Sequence, residues 1–212
     1  KELEIAIIDR IKCKSKPKAI ILVHLYGMPA NLDQIISIGE KYNIPIIEDA
    51  AEGIGSTYNG KPLGSFTEFG VYSFNGNKII TTSSGGSIMS SDKEMIDKAR
   101  FLSTQARDDE PHYEHSEIGY NYRLSNVSAA IGIGQLEILQ ERVNKRREIF
   151  QYYKDHLSDL SEISFTIESK GSFSNRWLST ILISEESQID REDIRLSLLK
   201  ENIESRPLWK PM

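Results

Sequence analysis

The residues best placed to do chemistry lie in two short segments of the 212-residue chain. The first is Ile46-Ile-Glu-Asp-Ala-Ala-Glu-Gly53, where an apolar run ends in a carboxylate, Asp49, followed by small residues. In an open α/β sheet, ligands bind beyond the carboxyl ends of the strands, so a carboxylate there can meet a cation or a protonated ring nitrogen. It can equally cap a helix or close a turn. The second segment is Val71-Tyr-Ser-Phe-Asn-Gly-Asn-Lys78, followed by Ile-Ile-Thr-Thr-Ser-Ser-Gly-Gly86. Hydroxyls and backbone N–H groups in such a turn form an anion-binding nest. A lysine beside them can touch a phosphate or, desolvated, form a Schiff base. Read by itself, Lys78 fits a solvated loop lysine better. The spacing is not that of a G-x-x-x-x-G-K-[ST] phosphate loop.

The elements that must position these residues alternate as βαβ units do. Residues 19–25 (AIILVHL) predict a strand buried on both faces, and residues 31–42 a helix with Asn31 as its cap and Leu32, Ile35, Ile36 and Gly39 on one face. Ile44–Ile47 predicts a second buried strand ending in Glu48-Asp49, joined to the first by a right-handed parallel crossover. Weaker strand patterns follow at 70–74, 78–81 and 87–89, and a helix at 92–103. Residues 104–118 are polar without apolar period and predict a long loop, a frequent carrier of function. From Ser125 a helix rich in small residues predicts close packing on another helix or subunit. A charged helix at about 141–160, strands at 163–167 and 177–183 and a helix near 190–202 complete the pattern. The expected division is a large domain over 1–145 and part of a small α+β domain over 146–212.

Composition narrows the classes. Lys and Arg total 26 against 31 Asp and Glu, a net charge of −5, so no basic field exists to hold nucleic acid or an anionic membrane. The chain is 39% hydrophobic, the profile of a globular protein, and no apolar run approaches the ~20 residues of a membrane span. One cysteine, Cys13, excludes an internal disulfide framework and a Cys-rich zinc site, and no metal site is expected. A cytoplasmic protein is the simplest reading.

Taken together, the two segments match a pyridoxal phosphate arrangement, in which a lysine holds the aldehyde as an imine and a carboxylate pairs with the pyridinium nitrogen. Asp49-Ala-Ala, Ser73-Phe-x-x-x-Lys78, Gly85-Gly86 and Gly119-Tyr-Asn-Tyr-Arg-Leu-Ser125 occur in the order that resembles the DegT/DnrJ/EryC1/StrS family of sugar aminotransferases. His24-Leu-Tyr-Gly27, residues 125–136 and Arg206-Pro-Leu-Trp-Lys-Pro211 extend the resemblance over nearly the whole chain. The resemblance implies the type I fold of pyridoxal phosphate-dependent transferases, a three-layer α/β/α large domain with part of a smaller α+β domain, working as a homodimer with shared active sites. It implies Lys78 as Schiff-base lysine and proton shuttle, Asp49 on the ring nitrogen, Ser73 on the cofactor phosphate, and Asn121 reaching the neighbouring site's phosphate. Arg123 would serve an anionic substrate or the interface, although an ion pair holding its loop explains it equally. The 104–118 loop, with His112, Tyr113 and His115, is in place to be a substrate lid, but its histidines read more simply as exposed loop residues.

Two departures from the family pattern stand out. Glu52 takes the place near the cofactor ring where many members have Gln or His, and Ser83-Ser-Gly-Gly86 replaces Gly-Glu-Gly-Gly. With residues 74–82, both look like the branch acting on UDP-4-keto-6-deoxy-N-acetylhexosamines for bacterial surface sugars. The implied reaction is ping-pong transamination: L-glutamate loads the cofactor with an amine, which then passes to the C4 ketone of the nucleotide sugar. Competing readings are a related dehydratase, which has histidine in place of the lysine; a nicotinamide-dependent oxidoreductase, which lacks its G-x-G-x-x-G here; and a non-catalytic sugar-nucleotide binder or regulator. Family members carry more chain before this region and after the Trp-Lys-Pro motif. The chain, opening on Lys1, is therefore expected to be a central and partial C-terminal portion of such an enzyme.

Overall fold

The computed structural model describes residues 1–210, so residues 211 and 212, the end of the Arg206–Pro211 motif, lie outside the described residues. The chain begins with α1 (Glu2–Lys12), β1 (Ile20–Val23), a single 3-10 turn (Leu25–Gly27), α2 (Leu32–Tyr42) and β2 (Ile46–Asp49). The short strands β3 (Thr57–Tyr58) and β4 (Lys61–Pro62) follow, then β5 (Phe69–Ser73), β6 (Gly86–Met89) and α3 (Lys93–Ser103). The remainder is α4 (Asn126–Glu137), α5 (Leu139–Leu157), β7 (Ile163–Phe165), β8 (Ser172–Phe173), β9 (Ile181–Ile183) and α6 (Arg191–Lys200).

The main sheet has the order β1-β2-β5-β6. The expected parallel crossover is present, with Ile20 beside Ile46 and Val23 beside Asp49. β5 adds in parallel, setting Val71 beside Asp49, and β6 returns antiparallel with Gly86 opposite Ser73. The carboxyl ends of three parallel strands therefore lie abreast at Asp49, and Ser73 projects two residues beyond. Leu32, Ile35 and Ile36 of α2 pack on Leu22 and Ile46, with Ala50, Tyr58 and Leu63 completing that core. Each fully buried aliphatic side chain there contributes about 1.5–3 kcal/mol. Asn31 stands at the N-cap of α2 without a capping bond from its side chain, whereas Ser125 caps α4 and Asp190 closes a capping box on α6.

One expected strand is absent and another is shortened. Residues 78–81 form a bend, because the Lys78 N–H donates back to Asn75 O (3.0 Å) and the Thr82 N–H to Phe74 O (2.9 Å). Ile79 and Ile80 are apolar because they pack with Ile54, Val143 and Trp177, a reason that periodicity cannot separate from strand burial. In 177–183 only Ile181–Ile183 is a strand: the Trp177 N–H donates to its neighbour's side chain, Asn175 Oδ1 (2.9 Å), instead of to a ladder. A hairpin, β3–β4, was not expected, although its Asn59-Gly60 turn (φ 47° and 77°) is a strong hairpin signal. β8 joins it antiparallel, tying residues 172–173 to 57–58.

One buried group holds the strand ends in place. Glu48 is fully buried, and its carboxylate accepts the Gly64 N–H (2.7 Å), the Phe66 N–H (2.7 Å), the Thr67 N–H (3.0 Å) and the His24 ring at Nε2 (3.0 Å). His24 is also fully buried, and because its Nδ1 accepts the Ala30 N–H (3.1 Å), the proton is assigned to Nε2. Burial by itself would raise the Glu48 carboxyl, but the bonds from His24, Gly64 and Phe66 outweigh it and hold the group below its ordinary 4.5. Burial, and then the Glu48 charge, push the neighbouring Tyr72 phenol up.

A carboxyl lowered by folding contributes stability that is complete above the unfolded value and lost as pH falls through the folded one. Stability should therefore decline on acidification below pH 4.5, and less steeply in Glu48→Gln than in the wild type. Glu48→Ala should cost about 3–5 kcal/mol at pH 7, because several buried donors lose one acceptor together. Urea unfolding at a series of pH values checks both, and parallel curves for wild type and Glu48→Gln would remove Glu48 as the source.

Candidate active site

Asp49 ends β2 half-buried, and its Oδ1 accepts the Ala51 N–H (3.1 Å). Its other oxygen accepts no hydrogen bond among the described residues and is free for a ligand. Past the strand end the chain turns, and Glu52 comes to rest buried. Its Oε2 accepts the Tyr26 N–H (2.6 Å), and its Oε1 lies 3.3 Å from Lys78 Nζ. Tyr26 can present that N–H because it adopts a left-handed conformation (φ 57°, ψ 24°) within the 3-10 turn after β1. Lys78 is no solvated loop residue: its side chain is 12% exposed, and the ammonium sits 4.4 Å from the centroid of the Trp177 ring.

The turn between β5 and β6 carries the rest of the expected cluster. Ser73 Oγ accepts the Asn75 N–H (3.3 Å), which leaves its own hydrogen free to donate. Thr81 Oγ1 donates to Phe74 O (3.0 Å) and accepts the Ser83 N–H (2.8 Å). Ser83 and Gly85 have positive φ (71° and 91°). The turn that carries the lysine is thus rich in hydroxyls and bent backbone, the composition of an anion-binding turn, although the N–H groups of Phe74, Asn75, Lys78, Thr82 and Ser83 are bonded within it.

A second frame comes from far along the sequence. The Asn175 side chain, fully buried, donates to Glu52 O (2.7 Å) and Ile54 O (2.8 Å), and its N–H donates to Ser56 Oγ (2.8 Å). Ser56 Oγ in turn donates to Gly27 O (2.7 Å). Arg147 of α5 supports this strap by donating to Ser174 O (2.5 Å) and pairing with Glu168. Trp177 follows, 2% exposed, with its indole N–H donating to Asn77 O (2.8 Å). Tyr26, Trp177 and Trp209 then cluster with ring centroids 5.0–6.4 Å apart.

Of the residues singled out by sequence, Asp49 and Ser73 end the adjacent strands β2 and β5, and Glu52 and Lys78, each a few residues past those ends, pair with one another. Asn121, Arg123, His112 and Tyr113 do not join them within the chain. Asn121 and Arg123 are exposed; Asn121 bridges to the backbone of Thr104, and the rings of its sequence neighbours Tyr120 and Tyr122 stack on each other. His112 Nε2 lies 2.9 Å from Glu114, and the Arg107 guanidinium covers the Tyr113 ring at 4.3 Å. Among the described residues, no hydrogen bond or ion pair ties any of the four to Lys78, Glu52 or Asp49. Sequence reasoning missed Tyr26, Asn175 and Trp177. Tyr26 belongs to the His24-Leu-Tyr-Gly27 motif, but it orients Glu52 through its backbone N–H, which a side-chain motif does not display. Nothing in the sequence pairs Asn175 or Trp177 with a lysine about 100 positions away.

The family model described as the DegT/DnrJ/EryC1/StrS aminotransferase family matches residues 3–212. The chain belongs to this family. EpsN of Bacillus subtilis (strain 168) is 51% identical over 210 residues, covering 99% of the chain and 54% of that protein. The GDP-perosamine synthase of Escherichia coli O157:H7 is 39% identical over 201 residues, 95% of the chain and 54% of the synthase. Among solved structures, Helicobacter pylori PseC, an aminotransferase involved in the biosynthesis of pseudoaminic acid, superposes with a TM-score of 0.89 at 26% identity over 98% of the chain and 56% of PseC. The chain thus spans about half the length of the curated relatives it matches. Its mixed α/β architecture is the type I fold of these sugar aminotransferases.

Gly27 leaves no room for a side chain beside this family member's site. It has φ +78°, and a Cβ there would lie 2.0 Å from Asn175 Oδ1. Gly27→Ala should lower unfolding free energy by more than ~1–2 kcal/mol, the cost of the left-handed conformation alone, because Asn175 must also move. An unchanged urea midpoint would sink the idea that Asn175 clamps this turn.

Proposed function

We propose that the protein is a pyridoxal 5'-phosphate-dependent aminotransferase acting on a nucleotide-linked 4-keto-6-deoxy sugar, a UDP-N-acetylhexosamine derivative, with L-glutamate as amino donor. The observation that carries the reading is the buried Lys78–Glu52 pair, just past strands that end in Asp49 and Ser73. A buried ion pair is weak as a source of stability, so an amine seated there is better explained by chemistry. The donor set fits the cofactor: a shielded amine for an aldehyde, a carboxylate with a free oxygen for a pyridinium, and hydroxyl and N–H donors for a phosphate. Family membership, and relatives named as a GDP-perosamine synthase and as an aminotransferase in pseudoaminic acid biosynthesis, support the same class.

Each residue has a task in this reading. Pyridoxal phosphate, when bound, supplies an electron sink for the carbon that gains or loses the amine. Lys78 Nζ would hold the cofactor's aldehyde carbon and, as a free amine, would take and return the proton at the reacting carbon. Glu52 Oε1 accepts a hydrogen bond from that nitrogen and keeps it at the site. Asp49 holds the proton of the ring nitrogen, and Ser73 Oγ donates to the phosphate. Asn121 serves a neighbouring copy's phosphate in a homodimer, which its exposure and the exposed Val127, Ile131, Ile133 and Leu136 of α4 support. Arg123, His112 and Tyr113 contact the sugar nucleotide from the rim. Residues 1–145 form the cofactor-binding domain and 146–212 part of the small one. The single cysteine suits a reducing cytoplasm.

The UDP-linked substrate rests on Glu52 and Ser83-Ser-Gly-Gly86, while the GDP-perosamine synthase relative favours a GDP-linked sugar as the second reading. Borohydride reduction of the full-length protein with its cofactor, followed by peptide mass mapping, should put a pyridoxyl mass on Lys78. Lys78→Ala should lose that label and at least ~10³-fold in transamination rate. A Lys78→Ala protein that still transaminates would overturn the assignment. Glutamate-loaded enzyme tested against UDP-, GDP- and dTDP-linked 4-keto sugars should turn over the UDP-N-acetylhexosamine fastest, and a preference for the GDP sugar would replace that substrate.

A further inference from the structure

The geometry points to Trp177 as a positioning residue that holds the Lys78 amine in its seat against Glu52. This rests on the reading of Lys78 as the reacting lysine. A lysine carries its charge on a flexible four-carbon stem, so an amine that must meet one atom needs a fixed seat. Glu52 supplies one wall, 3.3 Å from Nζ, and the Trp177 ring supplies the other, 4.4 Å from Nζ to the centroid. The ring attracts the ammonium through its quadrupole and cannot take a proton from it, so it locates the charge without acting as a base. The ring cannot turn aside. Its indole N–H is bonded to Asn77 O, one residue before the lysine, its backbone N–H to Asn175 Oδ1, and it is 2% exposed. Asn175 also grips Glu52 O, so a single buried amide sets both walls of the seat.

The seat is measured by how often the amine leaves it. Lys78 in the full chain, freed of cofactor, is acetylated with N-hydroxysuccinimide acetate, and the modified peptides are quantified against the exposed Lys93 as an internal standard. Trp177→Phe keeps an aromatic face and should label Lys78 at close to the wild-type rate. Trp177→Leu removes the face and should label it roughly tenfold faster, the factor expected when a desolvated cation–π contact is lost. If Trp177→Leu does not fold, Trp177→Met fills more of the volume without a π face and carries the same prediction. Equal labelling in all variants, or equal acceleration in Phe and Leu variants of matched melting temperature, overturns the proposal, because packing would then be the ring's only role. Wild-type protein that takes no pyridoxyl label on Lys78, while the labelling order holds, would count against the proposed function and leave the seat standing.

Discussion

The strand ends from which the site is built depend on one buried carboxylate. Glu48 lies in β2 next to Asp49, on the opposite face of the pleat, with no access to water. A carboxylate in that position is tolerated only if its oxygens are filled with donors, and they are, by backbone N–H groups at 64, 66 and 67 and by His24. The bonds cross three pieces of chain. They fasten the loop leading into β5, the end of β1 and the end of β2 to the same point. Asp49 inherits its position from this network, since adjacent residues of a strand cannot move independently.

From that point the order spreads outward in two directions. His24 anchors the start of the 3-10 turn, whose next-but-one residue, Tyr26, presents the N–H that orients Glu52. Glu52 then faces the lysine. The second direction starts at α5, where Arg147 and Glu168 hold the backbone at Ser174 and so deliver Asn175 and Trp177 to the same loops. Lys78 stands where the two frames meet. Neither frame alone encloses its amine: the sheet end provides the carboxylate, and the later segment provides the aromatic wall. The chain is knit across its expected domain division by these contacts and by β8 pairing with β3.

Much of the sheet was readable because its signals are local. The AIILVHL run, the capped 31–42 period and the Ile44–Glu48 run each carry their own periodicity, and two such strands around one helix leave a parallel crossover as the topology. The bend at 78–81 shows where that reasoning stops. Ile79 and Ile80 have the composition of a strand, but their burial comes from Val143 and Trp177, residues whose proximity is a tertiary fact. The Asn59-Gly60 hairpin carries its own local signal, two residues at positive φ between short strands. Asn121, Arg123, His112 and Tyr113 are a different case, since within one chain they face outward.

The family and the parallel βαβ core were legible in the chain alone, because motifs and apolar runs are short local patterns that a strand or turn converts directly into geometry. The choice of Asp49, Glu52, Ser73 and Lys78 came from the family resemblance, since no spacing by itself separates a buried lysine from a solvated one. Only the tertiary structure decided what surrounds the lysine. Trp177, Asn175 and the Tyr26 N–H reach it through hydrogen bonds and ring contacts between segments up to about 120 residues apart, and through backbone atoms that every residue type shares. Neither kind of contact leaves a local pattern. They exist because a buried polar group must find a partner wherever the fold brings one.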